Sequence, residues 1–195
     1  QKTNNGNIKS DQNGNLGITS SNTPVKIGNL DADFNLGWTN HFTYKGIDLG
    51  VVLSARVGGL AYSATQGILD YYGVSGTSAT ARDNGGIPIN NGKVNAQKYY
   101  QTIGTGEGGY GRYYLYSATN VRLQELSLNY TLPKRWFKNV ANVTLGIVGR
   151  NLWMLYCKAP FDPESTASTG TYNQGMDYFM QPSLRSMGFS AKISF

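Results

Sequence analysis

The sequence has very little of what enzyme and metal sites are built from. It contains one cysteine, Cys157, and one histidine, His41, so no disulfide can close within the chain and a conventional zinc site lacks its ligands. His41 has no cysteine or carboxylate at the spacing of a catalytic motif, which a general base would need. We therefore expect no enzymatic activity, no bound cofactor and no metal.

Charge is also sparse. Charged residues make up 14% of the chain, and the formal net charge is +6. The basic residues are scattered singly except for Lys134, Arg135 and Lys138, whereas a nucleic-acid surface concentrates them in one patch. We expect no nucleic-acid partner.

Long hydrophobic runs are missing as well. No apolar stretch approaches the roughly 20 residues of a membrane helix, and the chain opens on the polar QKTNNGNIKS rather than on a signal peptide. What the chain does contain is 25 Gly and 14 Tyr. This composition disfavours helices and suits strands joined by turns, so the predicted fold class is all-β.

Apolar and polar residues alternate with period two in five segments, which is the pattern of strands with two different faces. Between the first two segments, Lys45-Gly46 predicts a tight turn. The alternation changes phase near Gln124 and Glu125, which predicts a β-bulge there. The five predicted strands are residues 34–44, 47–57, 121–132, 143–155 and 185–195.

The connections between these strands alternate between short and long. Residues 1–33, 58–120 and 156–184 are long and mostly polar, and the second of them has room for a short helix around 62–71. Outer-membrane barrels have short periplasmic turns and long extracellular loops. If the C-terminus lies in the periplasm, all three long segments lie outside the cell.

Strand length and aromatic placement also favour a membrane barrel. Strands of about ten residues match the hydrocarbon thickness, and aromatic rings collect near the strand ends, where a barrel carries its girdle. The sequence thus predicts antiparallel strands of a transmembrane β-barrel. Five strands cannot close such a barrel, so we expect a piece of a longer protein or of an assembly. The girdle residues are Tyr44, Trp136, Phe137, Trp153, Tyr156 and Phe195.

A soluble carbohydrate-binding β-sandwich is the main alternative, because its strands alternate in the same way. It requires the apolar strand faces to be buried against each other. A passive porin and an outer-membrane enzyme form a third alternative, and the missing catalytic residues argue against the enzyme.

Four stretches of the sequence resemble one family in the family's own order. They are IGNLDADFNLGWTNHFTYKGIDL at 27–49, NVRLQELSLNYTLPKRW at 120–136, GRNLWML at 149–155 and FDPE at 161–164. Together they are similar to segments of the SusC/RagA-like TonB-dependent transporters, and the terminal Phe195 fits the barrel signal at the end of that family's chains. The motif residues are Gly149, Arg150, Asn151, Phe161, Asp162, Pro163 and Glu164.

The resemblance implies that the chain forms about the last five strands of a 22-stranded, plugged barrel. It implies import of oligosaccharides or peptides across the bacterial outer membrane, driven by TonB through the missing N-terminal part. It also implies a SusD-like surface lipoprotein that covers the barrel as a lid, and it argues against a passive porin. Residues on the polar strand faces would then line the lumen or contact the plug; these are Asp48, Arg56, Arg150 and Lys192.

The long segments contain most of the candidate binding residues. Tyrosine rings can stack on a sugar's apolar face and hydrogen-bond its hydroxyls, and they also suit a protein interface. We expect contact with substrate or lid from Tyr71, Tyr72, Tyr99, Tyr100, Tyr110, Tyr113, Tyr114, Tyr172 and Tyr178. The carboxylates of Asp162 and Glu164 have no partner base in the sequence, so binding to a neighbouring loop or to a cation is preferred to acid–base chemistry.

Overall fold

A computed structural model of the chain describes residues 8–10, 16–18, 26–89, 92–104, 111–138, 140–168, 170 and 173–194. Tyr110, Tyr172 and Phe195, which the sequence singled out, lie outside these described residues. The chain divides into two compact units. The helical unit comprises Gln1–Leu30, Leu60–Tyr116 and Thr166–Met180, and the sheet unit comprises Asp31–Gly59, Ser117–Ser165 and Gln181–Phe195.

Short strands and helices make up the helical unit, and long strands make up the sheet unit. The strands are β1 Ile8–Ser10, β2 Leu16–Ile18, β3 Phe34–Tyr44, β4 Ile47–Val57, β5 Leu60–Ser63, β6 Ile87–Ile89, β7 Gly92–Val94, β8 Leu115–Ser117, β9 Asn120–Thr131, β10 Asn142–Cys157, β11 Met176–Asp177 and β12 Ser186–Ser194. The α-helices are α1 Ala64–Tyr71, α2 Gly76–Asp83 and α3 Ala96–Ile103, with 3-10 turns at Gly111–Tyr113 and Lys134–Phe137. In the part of the chain that the structure describes, none of these helices has the length and hydropathy needed to cross a membrane.

The sheet unit is a five-stranded antiparallel meander. Its strand order is β12-β10-β9-β4-β3, so each strand pairs with its neighbours in the sequence of these five. β3 and β4 have the predicted bounds, and the described ends of the other three lie within one or two residues of the prediction. The predicted all-β, antiparallel architecture is confirmed for this unit.

The turn between β3 and β4 forms as the sequence predicted. Lys45 has φ 45° and Gly46 has φ 84°, which is the left-handed pair that a two-residue type I′ hairpin requires. The carbonyl of Gly46 accepts a hydrogen bond of 2.7 Å from the backbone N–H of Thr131. Glycine suits this position because a Cβ there would lie 2.9 Å from the Thr131 carbonyl oxygen.

The predicted bulge is centred on Gln124. Val52 pairs with Glu125 and Leu53 pairs with Leu123, so Gln124 is an extra residue in β9. Ser54 Oγ donates a 3.0 Å hydrogen bond to Gln124 Oε1. The bulge explains why the alternation changes phase within one strand.

The long segments that we predicted as loops differ most from the prediction. Within them, Ser63, Ser75 and Asn95 begin three helices by accepting a hydrogen bond from the backbone N–H three residues later, which is the N-cap interaction. β5 lies between β11 and β8 in a small sheet. The only helix that we expected, near 62–71, is observed as α1. Each of the three helices has eight residues, too few to give a clear period of 3.6.

The buried apolar core of the described residues lies in the helical unit. α2 and α3 contribute Ala81, Ala96, Tyr100 and Ile103, and Tyr114 is buried among them. This core is small, as expected for two-turn helices. No comparable core cluster is found among the described residues of the sheet unit, where the large apolar side chains stay exposed.

Candidate functional site

One face of the sheet unit is a continuous, exposed apolar surface, which we call the apolar face. The register places Phe42 opposite Leu49, Leu49 opposite Leu128, Leu128 opposite Ile147 and Ile147 opposite Phe189. These five side chains therefore form a row across all five strands. The residues at the two ends of the row are exposed: Phe42 by 53% and Phe189 by 85%.

The opposite face, which we call the polar face, carries small and polar residues in the next row. Thr43 pairs with Asp48, Asp48 with Asn129, Asn129 with Gly146 and Gly146 with Ser190. The two rows have opposite chemistry although they are one residue apart in every strand. Strands of outer-membrane barrels alternate in this way between a lipid-facing and a lumen-facing side.

The apolar face is exposed among the described residues, whereas a soluble β-sandwich needs this face to be buried against a second sheet. A sandwich buries such side chains in the core between its two sheets. Leu36 is 59% and Ile147 is 51% exposed. In the described residues, nothing covers this row.

The four predicted lumen or plug residues all lie on the polar face. Asp48 lies 3.6 Å from His41, measured from Oδ1 to Nδ1, and Arg150 donates a 2.8 Å hydrogen bond from Nε to Oε2 of Glu125. Arg56 is half-buried and Lys192 is exposed. Their position on one face agrees with the alternation, and contact with a lumen or plug stays a prediction.

The FDPE motif joins the end of β9 through a buried ion pair. Arg122 donates from Nη2 to Oδ1 of Asp162 over 2.6 Å, and the side chains are only 5% and 7% exposed. Asp162 also accepts backbone hydrogen bonds from Glu164 at 3.1 Å and Ser183 at 3.2 Å. The motif therefore binds a neighbouring strand and loop, which is the role preferred from the sequence.

The ionised form of Asp162 is favoured by these partners. Burial alone raises the pKa of a carboxyl group, but the hydrogen bonds from Arg122 and Ser183 outweigh it and hold the pKa of Asp162 below its ordinary value. Arg122 was not among the site residues predicted from the sequence. The sequence feature that could have identified it is a basic residue next to the point where the alternation of β9 changes phase.

The GRN motif forms a second irregularity, in β10. Arg150 pairs with Glu125 and Trp153 with Leu123, so β10 has one extra residue between them. Asn151 adopts φ 50° there, a left-handed conformation that asparagine tolerates better than most residues. Its Nδ2 donates a 3.2 Å hydrogen bond to the carbonyl of Leu184. The motif residues thus have a structural role in shaping the strand.

The predicted tyrosines divide into buried and exposed groups. Tyr100 and Tyr114 are 8% and 2% exposed and belong to the core of the helical unit, and contact of these two rings with a substrate or lid stays a prediction. Tyr99 and Tyr113 pack against the same core. Tyrosine content alone could not separate these groups, because packing decides which rings remain at the surface.

The exposed rings are Tyr72, at 67%, and Tyr178, at 52%. Tyr72 stacks edge-to-face with Tyr71 at a centroid distance of 5.1 Å, and Tyr178 does the same with Phe179 at 5.5 Å. Among the seven predicted tyrosines that the structure describes, Tyr72 and Tyr178 are the two exposed ones. Contact of any of them with a substrate or lid stays a prediction.

A buried polar network lies beneath Tyr71 and Tyr72. Asp70 is 4% exposed, and its Oδ1 accepts hydrogen bonds from Gln66 Nε2 at 2.9 Å, Ser75 Oγ at 2.5 Å and Thr77 Oγ1 at 3.0 Å. Burial, followed by the nearby Asp70 carboxylate, raises the pKa of the Tyr114 phenol. These hydrogen bonds connect the end of α1 to the start of α2.

The described residues contain no group of three or more His, Cys, Asp or Glu that could hold a metal ion. The polar clusters in the structure are instead ion pairs and caps.

Comparisons with known proteins agree with the sheet's geometry. No protein-family model matches the sequence. Over 198 aligned residues the chain is 26% identical to TonB-dependent receptor P3 of Formosa agariphila, with 97% of the chain and 19% of the receptor covered. The chain resembles a part of a SusC/RagA-like TonB-dependent transporter. The resemblance recognised from the sequence motifs is thus confirmed as a resemblance.

Solved structures give the same fold. The RagAB peptide importer in its closed-closed state matches with a TM-score of 0.62 and 19% identity, covering 95% of this chain and 20% of that one. The open-open state matches with a TM-score of 0.62 and 16% identity over the same shares of both chains. The chain therefore spans about a fifth of the length of the proteins it matches. These proteins are named as a receptor and an importer, not as enzymes.

Proposed function

We propose that the chain is part of a TonB-dependent importer of the bacterial outer membrane, which takes up oligosaccharides or peptides. The observation that carries the proposal is the row from Phe42 to Phe189, an uncovered apolar surface across five paired strands. Water is a poor solvent for such a surface, whereas lipid chains solvate it. The similarity to a TonB-dependent receptor supports the same reading.

The proposed mechanism needs three parts, of which this chain supplies one. Its strands would form a wall of a plugged barrel, with Asp48, Arg56, Arg150 and Lys192 toward the lumen or plug. A missing N-terminal part would hold the plug and engage TonB. A SusD-like surface lipoprotein would close over the outer side, where exposed rings such as Tyr178 and Phe179 offer contact.

The C-terminus would lie in the periplasm in this arrangement. The short turn at Lys45-Gly46 and the connection around Lys134–Phe137 would then face the periplasm as well. The helical unit would lie outside the cell, as long connections do in outer-membrane barrels. In a Cys157→Ser background, cysteines introduced one at a time at Lys45 and at Val74 should be labelled by an impermeant maleimide on intact cells only at Val74.

Uptake distinguishes this function from a passive or structural role. A strain that lacks the full gene should lose uptake of a labelled oligosaccharide or peptide, and the gene should restore it. Dissipating the proton-motive force should abolish the restored uptake. Uptake that continues without that force would contradict the TonB-dependent mechanism.

A further inference from the structure

The helical unit contains a cleft to which no function has been assigned so far. It has a volume of about 390 Å³ and lies between the end of α1, Arg82 of α2 and one face of α3. That size is in the lower part of the range of small-molecule pockets. Its lining residues are Asp70, Tyr71, Tyr72, Gly73, Arg82, Ala96, Gln97, Tyr100 and Gln101.

One wall of the cleft presents two side-chain amides. Gln97 and Gln101 are four residues apart on α3, so both project from the same side of the helix, and both are exposed. In the part of the chain that the structure describes, no hydrogen bond occupies either amide. Each amide can donate one hydrogen bond and accept another at the same time. This suits a ligand with neighbouring groups that also donate and accept hydrogen bonds.

Another wall is aromatic. Tyr71 and Tyr72 form an edge-to-face pair at the end of α1, and Tyr72 leaves 67% of its surface exposed. An aromatic ring offers an apolar platform, and its hydroxyl adds a polar group. Amides facing an aromatic pair recognise a ligand that has both hydroxyls and an apolar face.

The two charged side chains of the lining make hydrogen bonds within the helical unit. Asp70 is held by three side-chain donors, and Arg82 donates from Nη1 to the carbonyl of Gly73 over 2.6 Å. The lining therefore includes one carboxylate and one guanidinium, whose formal charges cancel. Such a site has no net charge that would select an anion or a cation.

A peptide fits the same walls less well. Peptides that bind through their backbone usually add a strand to an exposed sheet edge or lay a helix in an apolar groove. The residues that line this cleft belong to helices and turns and include no strand. Stacking on a ring and paired hydrogen bonds from amides suit an uncharged saccharide better.

We propose that this cleft is a binding subsite for one or two units of an uncharged saccharide. Tyr72 would stack on the sugar's apolar face, and Gln97 and Gln101 would bind neighbouring hydroxyls. The inference rests on the proposed import function and narrows its substrate class. A second depression of about 590 Å³, lined by Asn84, Ile87 and Pro88 among others, has no exposed aromatic platform and serves as the comparison.

The test uses the full protein purified in detergent, without any lipoprotein. A printed array of neutral glycans identifies the tightest-binding probe, and titration calorimetry then measures its affinity for the variants. Tyr72→Ala should weaken binding about five- to tenfold, and the double variant Gln97→Ala, Gln101→Ala about tenfold or more. Tyr72→Phe should retain most of the affinity because the ring remains.

Two matched variants control for surface changes elsewhere. Val74→Ala removes an exposed side chain two residues from Tyr72, and Asn84→Ala alters the second depression; neither should change the affinity by more than about twofold. The proposal is overturned if no neutral glycan binds, if only tetra-alanine peptide binds, or if Asn84→Ala weakens binding and Tyr72→Ala does not. Uptake and maleimide labelling are separate measurements, so failure of the cleft and failure of the import function are distinguishable.

Discussion

Arg122 and Asp162 are 40 residues apart in the sequence, and a hydrogen bond of 2.6 Å joins their side chains. Both side chains are almost completely buried. The bond connects the segment after β10 to the N-terminal part of β9. Glu164 adds a longer contact of 3.5 Å to the same guanidinium. The pair joins two of the recognised sequence motifs, which were otherwise separate stretches of residues.

Replacing one partner should cost more than replacing both. Arg122→Met leaves the Asp162 carboxylate buried without its cation, and we expect a loss of about 3–5 kcal/mol in the free energy of unfolding. The double variant Arg122→Met, Asp162→Leu should lose less, since no charge remains buried. Urea unfolding of the full protein in detergent measures both. Equal losses for the single and double variants would show that the charge pair is not the cause.

The same pair predicts an acid-dependent loss of stability. The pKa of Asp162 is lowered from 3.8 in the folded protein, so its stabilisation is fully present above that ordinary value and is lost as pH falls through the depressed pKa. The wild-type protein should therefore lose more stability than Asp162→Asn between pH 5 and strongly acidic solution. Urea midpoints at a series of pH values provide the comparison. Parallel curves for the two proteins would refute this assignment.

The hairpin turn predicts opposite outcomes for two neighbouring substitutions. Gly46→Ala should destabilise the protein by about 1–2 kcal/mol, because alanine is strained at φ 84° and its Cβ would crowd the Thr131 carbonyl. Lys45→Asn should be neutral or mildly stabilising, since asparagine favours the left-handed conformation at φ 45°. Unfolding midpoints measure both variants. A neutral Gly46→Ala would mean that the turn is not type I′ in solution.

The network around Asp70 predicts a local effect. Ser75→Ala removes the cap of α2 and one hydrogen bond to Asp70, and we expect a cost of about 1–2 kcal/mol, concentrated in α2. Hydrogen exchange of the α2 amides should become faster, while exchange in β9 stays unchanged. Thr80→Ala is the control, because its hydroxyl bonds only the carbonyl of Gly76 on the exposed side of α2. If both variants accelerate exchange equally, the cap is not the source of the effect.

Alternation was a sufficient guide to the sheet unit. A residue's face in a strand follows from its position alone, so the five strands, the turn at Lys45-Gly46 and the bulge at Gln124 were predictable. The phase change at Gln124 was visible because apolar residues lie on both sides of it. The irregularity at Asn151 was not predicted, because glycine and asparagine occupy the positions where apolar residues would have revealed a change of phase.

The helical unit could not be predicted in the same way. Its helices are two turns long and begin at single capping residues such as Ser63, which resemble ordinary loop residues in the sequence. Burial of Tyr100 and Tyr114 depends on contacts between segments far apart in the chain. Arg122 was missed because its partner is 40 residues away, a distance at which no local pattern links two residues.

The most direct test of the account measures which face of the sheet meets lipid. Spin labels replace Leu128 and Ser127 on β9, and Phe189 and Ser190 on β12, in the full protein with Cys157→Ser, reconstituted in bilayers. Collision with oxygen, which concentrates in lipid, should dominate at positions 128 and 189. Collision with a water-soluble nickel complex should dominate at 127 and 190. The reverse pattern, or water at all four positions, would contradict the proposal that this sheet is the wall of a membrane barrel.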